Sequence, residues 1–447
     1  MKKYRLFALL SAVCIMLSAC SGPGMNIADS ISPPKPSGEL YEIQKTLEAS
    51  VGHGVDLVYP SSGTYRSAIV TQDIDSDGKY EVFSFYSTET DDKTTVMHLN
   101  YIRWIDGKWV SVSDIQVDSS SVESIEFVRL DKSNTPKILV NWNRYSATNK
   151  QLAIYSIDSG ELDEVTSADF SVYSTCDFDS DGIFEIIAVH LDLEKQTAQA
   201  SLLGVGQGGF SMLSSCSLDG TVSSYYKPVI SQFTDGTKAL FIDANKASGM
   251  ITEVLCIREG VLSSAIPYTA TGENVNTLRA SSVRSGDFDS DGCIDIPTAQ
   301  KLPMVSGSLE EDSAYMTTWN RFDGKNLIPQ AHSVINFTDG YYLNIPDNWV
   351  GNIAVERNTD NRQRVFYRWD PVTMSVGEEV LRIQAVPLKT WESNREPFKG
   401  YSEYGRNSKT VFVAKHGNSA LNLGEEYLKE NFTVINPDST EDLQKIV

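Results

Sequence analysis

Three nine-residue stretches of this chain carry carboxylates at a spacing that suits a hard cation. They are Asp73, Asp75, Asp77 and Glu81; Asp177, Asp179, Asp181 and Glu185; and Asp287, Asp289, Asp291 and Asp295. Each places acids at positions 1, 3, 5 and 9 and glycine at position 6 (Gly78, Gly182, Gly292). Such an all-oxygen set is expected to take Ca²⁺. Position 7, occupied by Lys79, Ile183 or Cys293, is expected to add its backbone carbonyl. A helix-loop-helix site needs a bidentate glutamate at position 12. Here position 12 is Ser84, Ala188 or Thr298, so the acid at position 9 must close the shell. Without an ion, four carboxylates crowd each loop and repel one another. The expectation is therefore up to three structural Ca²⁺ ions that hold the fold and do no chemistry.

Strands must hold these loops. Apolar runs follow them at Tyr80 to Tyr86, Phe184 to His190 and Ile294 to Ala299. The first two are apolar on both faces, as an inner strand should be. Pro297 interrupts the third, which predicts a short or edge strand. The motif glycines are 104 and 110 residues apart, about twice a propeller blade. Degenerate copies lie between them. One runs from Phe127 to Val140, with Arg129 and Lys137 at positions 1 and 9; the other runs from Ile230 to Ile242 and keeps only Asp235 and Gly236. In the first, a fixed cationic group could take the ion's electrostatic place. Hairpin signals follow at Asp106-Gly107, Asp158 to Gly160, Glu259-Gly260 and Asp323-Gly324.

The unit is thus about 54 residues of antiparallel strands, repeated five times over residues 50–335. It resembles the FG-GAP and VCBS class of β-propeller repeats, as in integrin alpha-chain propellers and many bacterial surface proteins. The resemblance rests on the three acidic motifs and the repeat length. It implies a mainly β fold, a propeller of about five to seven blades, with a small α+β domain after it. A strand at Val55 to Tyr59 could close a sixth blade, and an open solenoid is the alternative.

Residues 1–19 read as a signal peptide, with Lys2, Lys3 and Arg5 before an apolar run from Leu6 to Leu17 that is too short to span a bilayer. Leu17-Ser18-Ala19-Cys20 resembles a bacterial lipobox. The resemblance implies cleavage before Cys20, lipidation there, and anchoring on the extracytoplasmic face of the cell membrane, with residues 20–40 as a tether. Residues 336–447 are expected to form the α+β domain. Its strands are expected at Asn352 to Glu356, Arg364 to Trp369, Val380 to Val386 and Lys409 to Ala414, and its helix over Ala420 to Asn431. Arg357, Arg362, Arg364 and Arg368 cluster at one hairpin, to meet an anionic group, to dock onto the acidic propeller, or to protect an edge strand.

The net charge of −21 argues against nucleic acid as a partner. Cys176, Cys216, Cys256 and Cys293 form no disulfide framework; buried thiols or a single bridge are the two readings. The five histidines (His53, His98, His190, His332, His416) make no metal or nucleophile motif, and His98 and His190 are expected to pack within strands. With no catalytic constellation visible, the chain is expected not to be an enzyme. The expected function is a cell-surface, calcium-stabilised binding or adhesion module for a protein or glycan. The alternatives are a carbohydrate-active enzyme, either polysaccharide lyase or hydrolase, and a structural part of an envelope assembly.

Overall fold

The computed structural model describes residues 38–52, 55–90, 93–133, 135–145, 150–206, 209–305 and 312–435. The expected signal peptide, Cys20, most of the tether, His53 and Asn134 lie outside the described residues. The chain is mainly β and divides into two units, Met1–Tyr59 with Arg66–Asp118, and Pro60–Tyr65 with Ser119–Val447.

The first unit holds helix α1 (Glu39–Val51) and one sheet. Its strands are β1 (Asp56–Leu57), β2 (Ile69–Gln72), β3 (Glu81–Glu89), β4 (Thr95–Ile105) and β5 (Lys108–Val117). β3 pairs with β4, and β4 with β5. On its other edge β3 pairs with β2 along one half and with β1 along the other. The strand expected at Val55 to Tyr59 therefore joins this first sheet and does not start a sixth blade. Ile43 and Leu47, one helical turn apart, bury the inner face of α1 with Val82, Tyr86, Ile102 and Trp109. The β4–β5 turn has left-handed backbone at both Asp106 (φ 50°) and Gly107 (φ 80°), as an Asp-Gly hairpin requires.

The second unit repeats this plan. The second sheet runs β6 (Ser121–Val128), β7 (Lys137–Asn143), β8 (Lys150–Ser156), β9 (Asp163–Phe170), and the third β10 (Val172–Cys176), β11 (Glu185–Asp192), β12 (Thr197–Gly206), β13 (Gly209–Leu218). In the fourth, β14 (Val222–Tyr225) and β15 (Val229–Gln232) share the edge of β16 (Lys238–Lys246), followed by β17 (Gly249–Arg258) and β18 (Val261–Ser264). All of these strands are antiparallel. The inner strands are the most buried: the first six residues of β7 are all buried, as are six consecutive residues of β16 and seven of β17. The outer strands β9 and β13 are largely exposed. Apolar β-branched residues on both faces of a strand demand neighbours on both sides, and the sheets supply them. Leu139 and Ile154 pack with Ile186 and Ala188 of the next sheet; Ile187 and Val189 pack with Leu240 and Ile242 of the one after.

The fifth sheet departs from the sequence expectation. Its strands are β19 (Asp295–Lys301), β20 (Tyr315–Phe322), β21 (Leu327–Asn336), β22 (Tyr341–Ile345) and β28 (Phe432–Val434). β19 is the edge strand, so Pro297 sits where a missing N–H is tolerated. β22 and β28 come from beyond residue 336, so the C-terminal segment completes this sheet. The sixth sheet, in order β23 (Ile353–Asn358), β24 (Gln363–Asp370), β25 (Ser375–Pro387), β27 (Thr410–His416), β26 (Ser402–Arg406), shares one core with it. Met316, Val334 and Leu343 pack there with Phe366, Leu381 and Phe412. Helix α2 (Leu388–Ser393) follows β25. The helix expected from Ala420 is shorter, α3 (Glu425–Asn431), because Gly424 is extended (φ −66°, ψ 157°) and sets its start. Among the described residues no helix is long and apolar enough to cross a membrane.

The stacking of sheet on sheet yields a quantitative expectation. Ile187 is fully buried in the core shared by the third and fourth sheets. Ile187→Ala should cost about 2–5 kcal/mol in urea unfolding, whereas Val165→Ala, on the exposed face of β9, should stay within about 0.5 kcal/mol.

Candidate metal centres and an adjoining cleft

Each acidic loop leads into a strand: the first two link the first and second positions of their sheets, and the third precedes the edge strand β19. Residue 73 to 81 joins β2 to β3, residue 177 to 185 joins β10 to β11, and the loop ending at Asp295 leads into β19. The three share one hydrogen-bond pattern. The glycine N–H at position 6 donates to the aspartate at position 1, at 3.1 Å (Gly78 to Asp73), 3.0 Å (Gly182 to Asp177) and 2.9 Å (Gly292 to Asp287). The position 5 N–H donates to position 3, as from Asp77 to Asp75 at 3.1 Å. Position 7 (Lys79, Ile183, Cys293) donates its N–H to the carboxylate at position 5. Position 2 donates to position 9, as from Ile74 to Glu81 at 3.0 Å. Serine at position 4 is left-handed in every copy (Ser76 φ 60°, Ser180 φ 65°, Ser290 φ 62°), and the glycine at position 6 follows suit. This double reversal turns the carboxylates to one point.

Three carboxylates then converge in each loop, with oxygens within 4.8 Å of one another: Asp73, Asp75 and Glu81; Asp177, Asp179 and Glu185; Asp287, Asp289 and Asp291. Two oxygens on opposite sides of one Ca²⁺ lie about 4.8 Å apart, because each Ca–O distance is about 2.4 Å. The clusters therefore fit a hard divalent ion. Asp77 and Asp181 fall outside the first two groups, and Asp295 falls outside the third. Asp73 Oδ1 and Asp295 Oδ1 are buried and accept no hydrogen bond, which is the kind of acceptor an ion would satisfy.

The charges respond to one another. Burial pushes the Glu81 carboxyl above the usual range, and Asp75, Asp77 and Asp73 add to the rise. Glu185 is raised by burial and then by Asp179, Asp177 and Asp181. Asp295 is pushed up to about 6, first by burial and next by Asp289.

The two degenerate loops keep the position and lose the cage. In the second sheet Lys137, at position 9, places its ammonium 3.0 Å from Asp131 and also on Asp158, with only 8% of its side chain exposed. Ser133 still donates its N–H to Asp131, as position 5 does to position 3 elsewhere. In the fourth sheet the Thr237 N–H donates to Asp235 at 2.9 Å, and no acid cluster forms there.

Basic residues arriving from other strands were not legible in the motifs. Arg321 of β20 hydrogen-bonds to Asp291 in the third loop. Lys238 of β16 reaches the Asp177 carbonyl and lies 3.0 Å from Ser180 Oγ. The histidine expected as packing is more than that: His98 stacks on Tyr86 and links Thr88 and Asp114 at 3.0 Å on each side. Asp114 also accepts from Tyr86 and Asn100, so the group is a saturated polar stripe across β3, β4 and β5. The arginines near residue 360 are not one anion site. Arg357 pairs with Asp312, Arg362 with Asp339 and Arg368 with Glu378, while Arg364 is buried and donates to the Ile335 carbonyl. Cys176, Cys216, Cys256 and Cys293 are all thiols.

A cleft of about 500 Å³ adjoins the second acidic loop. Asp131, Lys132, Asp179, Asp181 and Glu185 form its polar wall; Phe184, Val205 and Leu213 form an apolar one. All three apolar residues are partly exposed.

No family model matches the chain, and no curated protein matches it in sequence. Solved structures do align. They include the exotype rhamnogalacturonan lyase YesX (12% identity, 74% of this chain and 63% of that one, TM-score 0.25). They also include a Lactobacillus plantarum protein (10%, 71% and 84%, 0.27) and the Bacillus licheniformis rhamnogalacturonan lyase PL11 (9%, 83% and 92%, 0.29). This chain thus spans less than two thirds of the length of YesX. The likeness is one of β-rich architecture. The expectation of an adhesion module is corrected here. The aligned structures with a stated activity are rhamnogalacturonan lyases.

The raised carboxyls give a pH signature. A folded acid whose value lies above its unfolded value of about 4 holds a proton that the unfolded chain has released. Stability from that group falls as pH rises through the window, about 4 to 6 for Asp295. Burial and neighbouring acids raise the Glu81 and Glu185 carboxyls, so a proton competes with Ca²⁺ there, and chelated protein should gain more from Ca²⁺ at pH 7 than at pH 5. Melting temperatures with millimolar Ca²⁺ and with chelator at both pH values test this; equal gains would contradict it.

Proposed function

We propose that this chain is a lipid-anchored, carbohydrate-active enzyme whose consecutive sheets are blades of a propeller-type repeat stabilised by Ca²⁺. The observation that carries the reading is the cleft beside the second acidic loop. Saccharides are bound by an apolar or aromatic surface against the sugar face and a few polar groups at its edge. Phe184, Val205 and Leu213 supply the first; Asp131, Asp179 and Asp181 supply acceptors for hydroxyls. A divalent ion held by Asp177, Asp179 and Glu185 would place positive charge in that wall, which suits an acidic sugar such as a uronate. In the absence of an ion the wall repels one. The lipobox resemblance at Leu17 to Cys20 supports a position on the extracytoplasmic side of the membrane, where polysaccharide is met, and two or more acyl chains at Cys20 would hold the protein there.

The test is turnover. Purified protein with Ca²⁺ is incubated with acidic and neutral polysaccharides, rhamnogalacturonan among them. Unsaturated ends, the mark of a lyase, and new reducing ends, the mark of any chain cleavage, are both followed. Activity on an acidic polymer is expected, and Phe184→Ala should reduce it about tenfold through loss of one stacking contact. No cleavage and no retention of any polymer would sink the reading. The anchor is tested separately: Cys20→Ala should abolish palmitate labelling and move the protein from the membrane to the soluble fraction.

A further inference from the structure

The three acidic loops are alike in sequence and in hydrogen bonding, but not in what faces them. We infer that Arg321 is a built-in counter-ion of the third loop, so that the chain takes two divalent cations, in the loops at 73–81 and 177–185, and takes a third only where Arg321 is displaced. The inference rests on the reading of these loops as cation sites.

Cross-strand register sets the difference. Asp295, at position 9 of the third loop, lies directly opposite Arg321 on β20. Ile186 is opposite Leu203, which puts Gly204 across from Glu185 in the second loop, a residue with no side chain to offer. In the first loop Val82 is opposite Ile102, which puts Arg103 across from Glu81. Among the described residues Arg103 forms no ion pair with a loop carboxylate, and the nearest ammonium is that of Lys79, 3.4 Å from Asp77 and 59% exposed.

Side-chain length explains why Arg321 enters and Arg103 does not. Position 9 is glutamate in the first two loops and aspartate in the third. Glu81 and Glu185 reach the other carboxylates and join their clusters; Asp295, one methylene shorter, does not. The guanidinium occupies the space left. Its Nη2 hydrogen-bonds to Asp291 and lies 3.8 Å from Asp289, and its Nε lies 3.8 Å from Asp295. Only 16% of the side chain is exposed. A divalent ion on Asp289 and Asp291 would meet this fixed positive charge in a partly desolvated place, where repulsion is poorly screened. The guanidinium offsets one of the loop's acidic charges, and two polar atoms beside it stay without a hydrogen bond. Asp295 Oδ1 and Arg321 Nε, 3.8 Å apart, are both buried without a hydrogen bond, and Asp295 itself is fully buried. That residual demand is what leaves the loop open to an ion at high concentration.

The same chain shows the exchange carried to completion. Lys137 has replaced the acid at position 9 of the second sheet's loop, and its ammonium sits on Asp131 and Asp158. In the second loop, by contrast, Lys238 contacts a backbone carbonyl and Ser180 rather than the carboxylate cluster, so the cage stays available.

Calorimetric titration of the whole chain with Ca²⁺, together with a metal count after dialysis, tests this. The wild type should hold two ions. Asp75→Asn and Asp179→Asn should each reduce the count to one, while Asp289→Asn should leave it at two. Arg321→Met should raise it to three. Three ions in the wild type, falling to two with Asp289→Asn, would overturn the inference, as would a folded Arg321→Met that still holds two. If Arg321→Met fails to fold, the three aspartate variants decide alone. No binding in any of them would instead refute the cation reading on which the inference stands.

Discussion

Charge balance inside one nine-residue loop constrains this fold. The loop opens the second strand of the first three sheets, which is buried on both faces, and the edge strand β19 of the fifth, and in each case it leads straight into that strand. Position 9 is its first residue: Glu81 begins β3, Glu185 begins β11, Lys137 begins β7 and Asp295 begins β19. An ionisable group therefore stands where the chain enters the most apolar part of the sheet. Its neighbours at positions 1, 3 and 5 are held close by backbone N–H donors, so they cannot relax apart. Something positive must sit among them, or one must carry a proton. A buried acceptor left unsatisfied costs about 1–3 kcal/mol, which is large against the stability of a domain.

The sheets answer this constraint in different ways while keeping the same strand order. Two loops keep a full acid cage. One keeps the cage with an arginine in it. One has traded the acid at position 9 for lysine. One has shed the acids and keeps an Asp-Gly turn, with Asp235 accepting from Thr237 and Gly236 left-handed. A left-handed glycine recurs at position 6 in the three acidic loops and in the fourth sheet's loop, and the electrostatics are local. This separates shape from charge: the glycine and the turn bonds make the hairpin, and the acids decide whether it depends on an ion.

Much of this was legible in the sequence. Acid spacing, Gly78, Gly182 and Gly292 located the loops, and Asp106-Gly107 and Glu259-Gly260 located hairpins, because both are short-range rules tied to backbone angles. Lys137 as a fixed cation was legible for the same reason: it lies within the motif. Arg321 was not, since its approach to Asp295 depends on the register of β19 against β20 and no local pattern encodes that pairing. The fifth sheet was misread at its end for a related reason. β28 lies far along the chain from β21, and only the shared core of Leu343, Phe412 and Phe432 brings it back beside β22. The start of α3 was misplaced because Leu421 and Leu423 fit a helical period, yet Gly424 breaks it. The adhesion reading came from resemblance and not from any residue that touches a ligand, and it was the part that failed.

The persistence of ion-dependent loops beside a lysine-closed one has a physical consequence. A lysine at position 9 gives a balance that is always present. A bound ion gives one that follows its surroundings, contributing RT ln(1 + [L]/Kd), or about 1.4 kcal/mol per site when the ion stands at ten times its dissociation constant. For oxygen cages of extracellular type, with dissociation constants of about 0.1–1 mM, that contribution is large outside a cell and negligible where free Ca²⁺ is scarce. The second loop carries this dependence to the cleft, because Asp179 and Glu185 belong to both the cage and the cleft wall. On the proposed reading, loss of the ion would loosen the third sheet and, in the same step, leave the acids of the cleft wall uncompensated except by Lys132, so stability and ligand acceptance would follow a single equilibrium.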